Sequence, residues 1–146
     1  AANILGLFRY APDGKQIAYI RLPDGQASFP LGELWLMDAA GQNARLLANA
    51  DAGRGMPPVW SPQGDKIAFV GRNPPGNESP NLSIYVLEDA QQIRLDFAPV
   101  TPPSWSGEDL YFTLDTNGTM SIWFYASASG EVRQALKDAC CAGWIH

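Results

Sequence analysis

The stretch Val59-Trp60-Ser61-Pro62-Gln63-Gly64-Asp65-Lys66-Ile67-Ala68-Phe69-Val70-Gly71 reads as two strands joined by a tight turn. An apolar aromatic ends the first strand, and a β-branched and aromatic run from Lys66 to Gly71 forms the second. Between them Pro62 presets φ at the second turn position, and Gly64 tolerates a positive φ at the fourth. The same device stands upstream as Arg9-Tyr10-Ala11-Pro12-Asp13-Gly14-Lys15-Gln16-Ile17-Ala18-Tyr19-Ile20. A worn copy stands downstream as Ser104-Trp105-Ser106-Gly107-Glu108-Asp109-Leu110-Tyr111-Phe112-Thr113. The chain is built of repeats.

Each repeat supplies four short strands. The first gives Leu5 to Tyr10, Gln16 to Arg21, Glu33 to Asp38 and Ala44 to Leu47, with a loop from Leu22 to Gly32 and a turn at Ala39-Ala40-Gly41-Gln42. The second gives Pro58 to Trp60, Lys66 to Gly71, Asn81 to Glu88 and Gln92 to Asp96, with a loop opening at Asn73-Pro74-Pro75-Gly76-Asn77. The third gives Pro103 to Trp105, Asp109 to Leu114, Met120 to Ala126 and Val132 to Leu136. Its Asp115-Thr116-Asn117-Gly118 turn is tight, and Asn-Gly favours type I′. Leu34-Trp35-Leu36-Met37-Asp38, Ile84-Tyr85-Val86-Leu87-Glu88 and Ile122-Trp123-Phe124-Tyr125 fill one slot in the three repeats.

A period of about 40–50 residues with four strands per repeat is the spacing of β-propeller blades. Near-continuous apolar runs such as Ile67 to Val70 fit sheets buried on both faces, whereas a two-layer sandwich alternates more strictly. The expected fold is therefore all-β, with propeller blades of four antiparallel strands and three blades in a single segment. Blade 1 is expected over about 4–49, blade 2 over about 56–97 and blade 3 over about 101–137. Ala142-Gly143-Trp144-Ile145 looks like the first strand of a fourth, over about 141–146. Three blades do not close a ring. The chain is then either an excised part of a larger propeller or half of a six-bladed ring made by two chains. Either arrangement leads us to expect self-association through the terminal blades.

A formal charge of −5 over 146 residues argues against nucleic acid as a partner, because phosphate binding needs a basic stripe. No apolar stretch approaches the ~18 residues that span a bilayer, so no membrane insertion is expected.

The search for chemistry assigns no catalytic, cofactor-binding or metal-ligating residue. The single histidine is His146, a poor position for an oriented base. No Gly-x-Ser-x-Gly elbow occurs. Cys140 and Cys141 are adjacent, which disfavours a bridge between them and gives zinc no spaced ligands; two thiols in a loop or short strand are expected. Asp115-Thr116-Asn117-Gly118-Thr119 lacks the further carboxylates of a calcium loop and reads as a hairpin turn. Asp13 and Asp65 read as backbone caps. Asn77-Glu78-Ser79, Asn81-Leu82-Ser83 and Asn117-Gly118-Thr119 match the glycosylation pattern and are read as unmodified. Tyr10, Trp60, Trp105 and Trp144 recur in one slot, and Trp35, Tyr85 and Trp123 in another, so both sets are expected to pack between blades. The loops Leu22–Gly32 and Asn73–Asn81 are the candidates for partner contacts.

Trp60-Ser61-Pro62-Gln63-Gly64-Asp65-Lys66-Ile67-Ala68-Phe69 resembles the core of the TolB-type, WD40-like propeller repeat. Tyr10 to Tyr19 resembles the same core with Tyr in the Trp slot, and Leu34 to Asp38 with Gly41 and Arg45-Leu46 resembles its third strand, turn and fourth strand. The resemblance spans about three repeats; the third departs at Ser106-Gly107-Glu108. It implies a propeller module that works through protein or peptide contacts, without catalysis or cofactor, in an exported bacterial protein of the periplasm or exterior. The resemblance also extends to the non-catalytic gate of prolyl-oligopeptidase-like serine peptidases. A ligand- or glycan-binding ring formed by two chains is a third expectation.

Overall fold

The structure, a computed structural model, describes residues 3–23, 30–72 and 79–139, with side chains from Leu7 onward. Its strands form three successive units. The first holds β1 (Asn3–Tyr10), β2 (Gln16–Leu22), β3 (Leu31–Asp38) and β4 (Arg45–Asp51). The second holds β5 (Val59–Trp60), β6 (Lys66–Gly71), β7 (Asn81–Val86) and β8 (Gln91–Leu95). The third holds β9 (Ser104–Ser106), β10 (Asp109–Thr116), β11 (Thr119–Ala126) and β12 (Glu131–Lys137). Within each unit the neighbours pair antiparallel in chain order. A single rung, Ala50 to Gly71, also joins β4 to β6, so the first two units share one eight-stranded sheet. Two residues this small let the backbones of different units approach.

The turns follow from their residues. Gly64 N–H donates to the Ser61 carbonyl at 2.9 Å, and Gly14 N–H to the Ala11 carbonyl at 2.9 Å. Both glycines have positive φ, 74° and 72°. In the third unit Ser106 pairs directly with Asp109 and Gly107 has φ of 59°, so a two-residue loop with Gly first replaces the longer turn. Thr116 pairs with Thr119, and Asn117 and Gly118 both have positive φ, the type I′ pattern. The turn is thus narrower than the expected four residues, and Asp115 belongs to β10.

β4 runs to Asp51, beyond its expected end at Leu47. Its Ala48, Asn49, Ala50 and Asp51 pair with Leu34, Glu33, Gly32 and Leu31. Ala48 and Ala50 are buried small residues in the seam with unit 2, a role that an alanine-rich stretch does not advertise. A bulge sits beside Trp35 in unit 1 and beside Trp123 in unit 3, the same slot of the repeat.

Two cores lie between the units. Ala18, Ile20, Leu34, Leu36, Ala48 and Ala50 of unit 1 pack with Trp60, Ile67, Phe69 and Tyr85 of unit 2. Ala68, Leu82, Ile84 and Leu95 of unit 2 pack with Leu110, Phe112, Leu114 and Tyr125 of unit 3. On β6, Ile67 and Phe69 therefore serve one core and Ala68 the other, which is why this strand reads as an unbroken apolar run. The outer strand β12 is exposed at nearly every position. This is the layout of an all-β partial propeller.

Candidate interaction surfaces

The seams between units are fastened by a repeated contact. Trp60, at the end of β5, donates its indole N–H to the Arg9 carbonyl of β1 at 3.0 Å. Trp105 of β9 donates in the same way to the Val59 carbonyl of β5 at 3.1 Å. Arg9 and Val59 each precede the aromatic of their own unit, and they pair with Ala18 and Ala68 respectively. The contact thus repeats in register from one unit to the next.

A charged cluster lies at the turn end of the second seam. Lys66 Nζ contacts Asp65 at 2.9 Å within unit 2 and Glu108 of unit 3 at 2.6 Å. Ser61, fully buried, donates its hydroxyl to Asp65 at 2.7 Å and accepts from the Lys66 backbone N–H at 3.0 Å. Burial pushes the Asp65 carboxyl up, but the hydrogen bonds from Ser61 and Lys66 and the lysine charge outweigh it, so it titrates below its ordinary range. Burial likewise pushes Lys66 down, and the bonds and charges of Glu108 and Asp65 outweigh it, so the amine titrates above its ordinary range. Asp13 accepts from the Lys15 backbone N–H at 2.9 Å, and Asp115 from Gly118 at 2.7 Å, both as turn caps. Asp65 departs from the backbone-cap reading because its carboxylate bonds side chains.

At the other end of the first seam, Asp51 is 1% exposed. One carboxylate oxygen accepts from the Arg54 backbone N–H at 2.9 Å, and the other from Arg72 Nε at 2.6 Å. Arg54 reaches onward to the Pro99 carbonyl at 2.9 Å. Sequence reading did not find this buried pair, because Asp51 and Arg72 are remote in the chain and belong to no motif.

Each end of the described array presents a sheet face. On unit 1 the face turned away from unit 2 holds a cavity of about 240 Å³ lined by Phe8, Ile17, Tyr19 and Met37. Arg21 lies over the Trp35 ring at 4.9 Å on the same face. Phe8 is 45% and Tyr10 55% exposed, so the expected packing of the first-strand aromatics fails at Tyr10. Trp60 and Trp105 have a preceding unit to pack on, and Tyr10 has none among the described residues. On unit 3 the face turned away from unit 2 holds Tyr111 stacked on Phe124 at 5.5 Å, with Arg133 over Phe124 at 4.9 Å.

Much of the two candidate loops, 24–29 and 73–78, lies outside the described residues, as do Cys140, Cys141, the start of a fourth blade at 141–146 and His146. Among the described residues, no three His, Cys, Asp or Glu side chains converge as a metal site, and no helix is long and apolar enough to cross a membrane.

No established family profile matches the chain. It is 26% identical over 125 residues to the Tol-Pal system protein TolB of Ruthia magnifica subsp. Calyptogena magnifica, covering 84% of this chain and 29% of that protein. The chain thus spans under a third of that relative's length. Its fold is similar to that of a TolB from Agrobacterium tumefaciens, with TM-score 0.65 and 20% identity, covering 91% of this chain and 46% of the other. It is similar as well to the β-propeller domain of the Trilobed protease from Pyrococcus furiosus, with TM-score 0.63 and 16% identity, covering 88% and 42%. Taken with the Trp-Ser-Pro-x-Gly turn and its spacing, these likenesses make the chain similar to the TolB-type, WD40-like β-propeller repeats.

Proposed function

We propose that the chain is a non-catalytic binding and scaffold module of an exported, TolB-like bacterial protein, acting through protein or peptide contacts in the periplasm. The observation that supports this reading most directly is the repeated Trp staple. It locks neighbouring blades and leaves loops and terminal sheet faces as the variable surface, and a rigid scaffold with variable edges suits recognition. The likeness to a Tol-Pal system protein points to the components of such a system as the first partners to try. In this reading no residue of the segment performs chemistry, and the net negative charge disfavours nucleic acid.

The test uses the whole protein that contains this chain. Its cellular fraction is determined, and its binding to purified components of a Tol-Pal system is measured by calorimetry. Periplasmic recovery with saturable binding supports the proposal. Retention in the cytoplasm, or turnover abolished by a substitution within these 146 residues, overturns it.

A second reading makes the chain part of a non-catalytic propeller beside a peptidase domain. The likeness to the propeller of the Trilobed protease favours it. A parent sequence that continues into a Gly-x-Ser-x-Gly hydrolase domain selects this reading over the first.

A further inference from the structure

We propose that a cavity beside Trp123 binds a single sugar ring that carries a carboxylate. Lys137 holds the carboxylate, Gln134 and the hydroxyls of Thr116, Thr119 and Ser121 hold the ring's hydroxyls, and Trp123 supplies an apolar wall. The site is separate from the protein or peptide contacts proposed above.

The cavity measures about 310 Å³ and is lined by these six residues of unit 3. Strand lengths account for it. β4 and β12 have seven residues each, and β8 has five. The longer β4 carries Ala48, Ala50 and Asp51 along the first seam, all of them buried. β8 stops at Leu95, and the chain folds back at once. Phe97 N–H donates to the Leu95 carbonyl at 2.7 Å, and the Phe97 carbonyl accepts from Leu82 N–H at 2.7 Å. The Phe97 ring stacks on Trp123 at 6.1 Å, and the end of the unit 3 face beyond it stays open. Thr116 pairs directly with Thr119, so this hairpin adds no loop over the opening.

A bulge gathers the polar groups. Thr119, Ser121 and Trp123 alternate onto the face turned to unit 2, which Tyr125 shares. In a regular strand Gln134 and Lys137, three apart, would point to opposite faces. Ile122 pairs with Leu136 and Trp123 with Gln134, so Ala135 is the extra residue. It sets Lys137 opposite Ser121 and Gln134 opposite Trp123, on one face.

The lining donates and carries positive charge. Ser121 is 4% exposed, and its oxygen accepts the Trp123 indole N–H at 2.9 Å, which leaves the hydroxyl proton to donate. Among the described residues, the side chains of Lys137 and Gln134 have no hydrogen-bond or ion-pair partner, and no carboxylate lines the cavity. Asp115, beside Thr116, is spent on the Gly118 N–H. A carboxylate therefore meets an unpaired ammonium and amide and hydroxyl donors. An aromatic wall suits the C–H face of a sugar ring, whereas a bare acetate or phosphate leaves it unused. The volume lies at the lower end of the roughly 300–1,000 Å³ of ligand sites, room for one ring and not for a chain.

The test is titration calorimetry of the whole protein that contains this chain, with D-glucuronate, D-glucose and acetate as probes. The expected result is saturable glucuronate binding with a Kd of about 1 mM or tighter, and glucose and acetate weaker by at least about tenfold. Lys137 is exposed on β12, so Lys137→Met keeps the fold and should bring glucuronate down to the level of glucose. Lys15→Met, in the β1–β2 turn of unit 1, should leave binding unchanged. Absence of saturable glucuronate binding overturns the proposal. Acetate or glucose binding as tightly as glucuronate overturns it too, as does a loss in Lys15→Met equal to that in Lys137→Met, which would assign the effect to overall charge.

Discussion

The indole N–H of Trp60 crosses from unit 2 to the backbone carbonyl of Arg9 in unit 1 at 3.0 Å, next to a fully buried Ala18. The ring fills the seam and its polar edge satisfies a carbonyl of the neighbouring inner strand. Trp60→Phe keeps most of the ring and removes the donor. We expect a loss of about 1–2 kcal/mol, the cost of a hydrogen bond and of the acceptor it leaves unmet. Trp60→Ala adds a cavity and is expected to cost about 3–5 kcal/mol. Trp105→Ala is expected to cost less, because Trp105 is only partly buried. Urea denaturation read at constant m-value checks the order.

The Asp65–Lys66–Glu108 cluster makes stability depend on pH at both extremes. The Asp65 carboxyl is held below its ordinary 3.8, so its contribution is complete above that value and is lost as pH falls through the lower folded-state pKa. Lys66 is held above its ordinary 10.5, so its contribution is complete below that value and is lost as pH rises through the higher folded-state pKa. Asp65 and Glu108 are 47% and 51% exposed in their side chains, and solvent screening keeps each contribution to about 1 kcal/mol or less. Asp65→Asn is expected to flatten the acid limb and to weaken the alkaline limb, where Glu108 still holds Lys66, and Lys66→Met is expected to flatten both. Denaturation midpoints measured across pH give the answer, and an unchanged acid limb in Asp65→Asn rejects this assignment.

Much of this architecture was readable because the repeat writes it several times. Pro-x-Gly turns, β-branched second strands and the recurring Trp slots each have a local physical cause, and they agree in register. What stayed hidden depends on partners distant in the chain. Ala48 and Ala50 extend β4 because a neighbouring unit buries them. Asp51 looks like a loop carboxylate until Arg72 arrives from just beyond β6. Tyr10 looks like a core aromatic because the slot is one, but its burial depends on a preceding unit. The candidate surfaces were less legible for the same reason: a surface is defined by what does not cover it.

Glycines separate into two kinds that substitution can tell apart. A Cβ on Gly71 would lie 2.9 Å from Ser83 Oγ and 3.0 Å from Asn81 Oδ1, both on buried side chains. Gly71→Ala is expected to cost about 1–3 kcal/mol by overpacking where β4 meets β6. A Cβ on Gly14 meets nothing within 4 Å, but its φ is +72°. Gly14→Ala is expected to cost about 1–2 kcal/mol from backbone strain. Adding Gly41→Ala to Gly14→Ala should give additive losses, because both act locally. Thermal unfolding of the three single variants and the double variant provides the comparison.

One turn places alanine in the conformation that glycine takes elsewhere in the repeat. Gly41 and Gly130 have φ of 80° and 72° in the β3–β4 and β11–β12 turns. The β7–β8 turn uses Ala90 with φ of 51°. A left-handed alanine costs about 1–2 kcal/mol, while glycine adds some entropy to the unfolded chain. Ala90→Gly is therefore expected to stabilise the protein by up to about 1 kcal/mol. A lower denaturation midpoint would mean that the Cβ of Ala90 contributes more through packing than it costs in strain.

Asp51 offers the sharpest test of the seam between the first two units. Its carboxylate has no water to turn to and is held by the Arg54 backbone N–H and by Arg72, whose second nitrogen also lies at 2.6 Å. Asp51→Ala removes the acceptor that these two donors share. We expect a loss of about 3–5 kcal/mol, the range for breaking a buried pair by removing one partner. Combining Asp51→Ala with Arg72→Met should cost less than the sum of the two single changes, because either change alone already removes the interaction the two side chains share. A double-mutant cycle should return a coupling of about 1–3 kcal/mol. A coupling near zero would mean that the two side chains stabilise the protein independently, with the Arg54 backbone N–H as the partner that makes Asp51 matter.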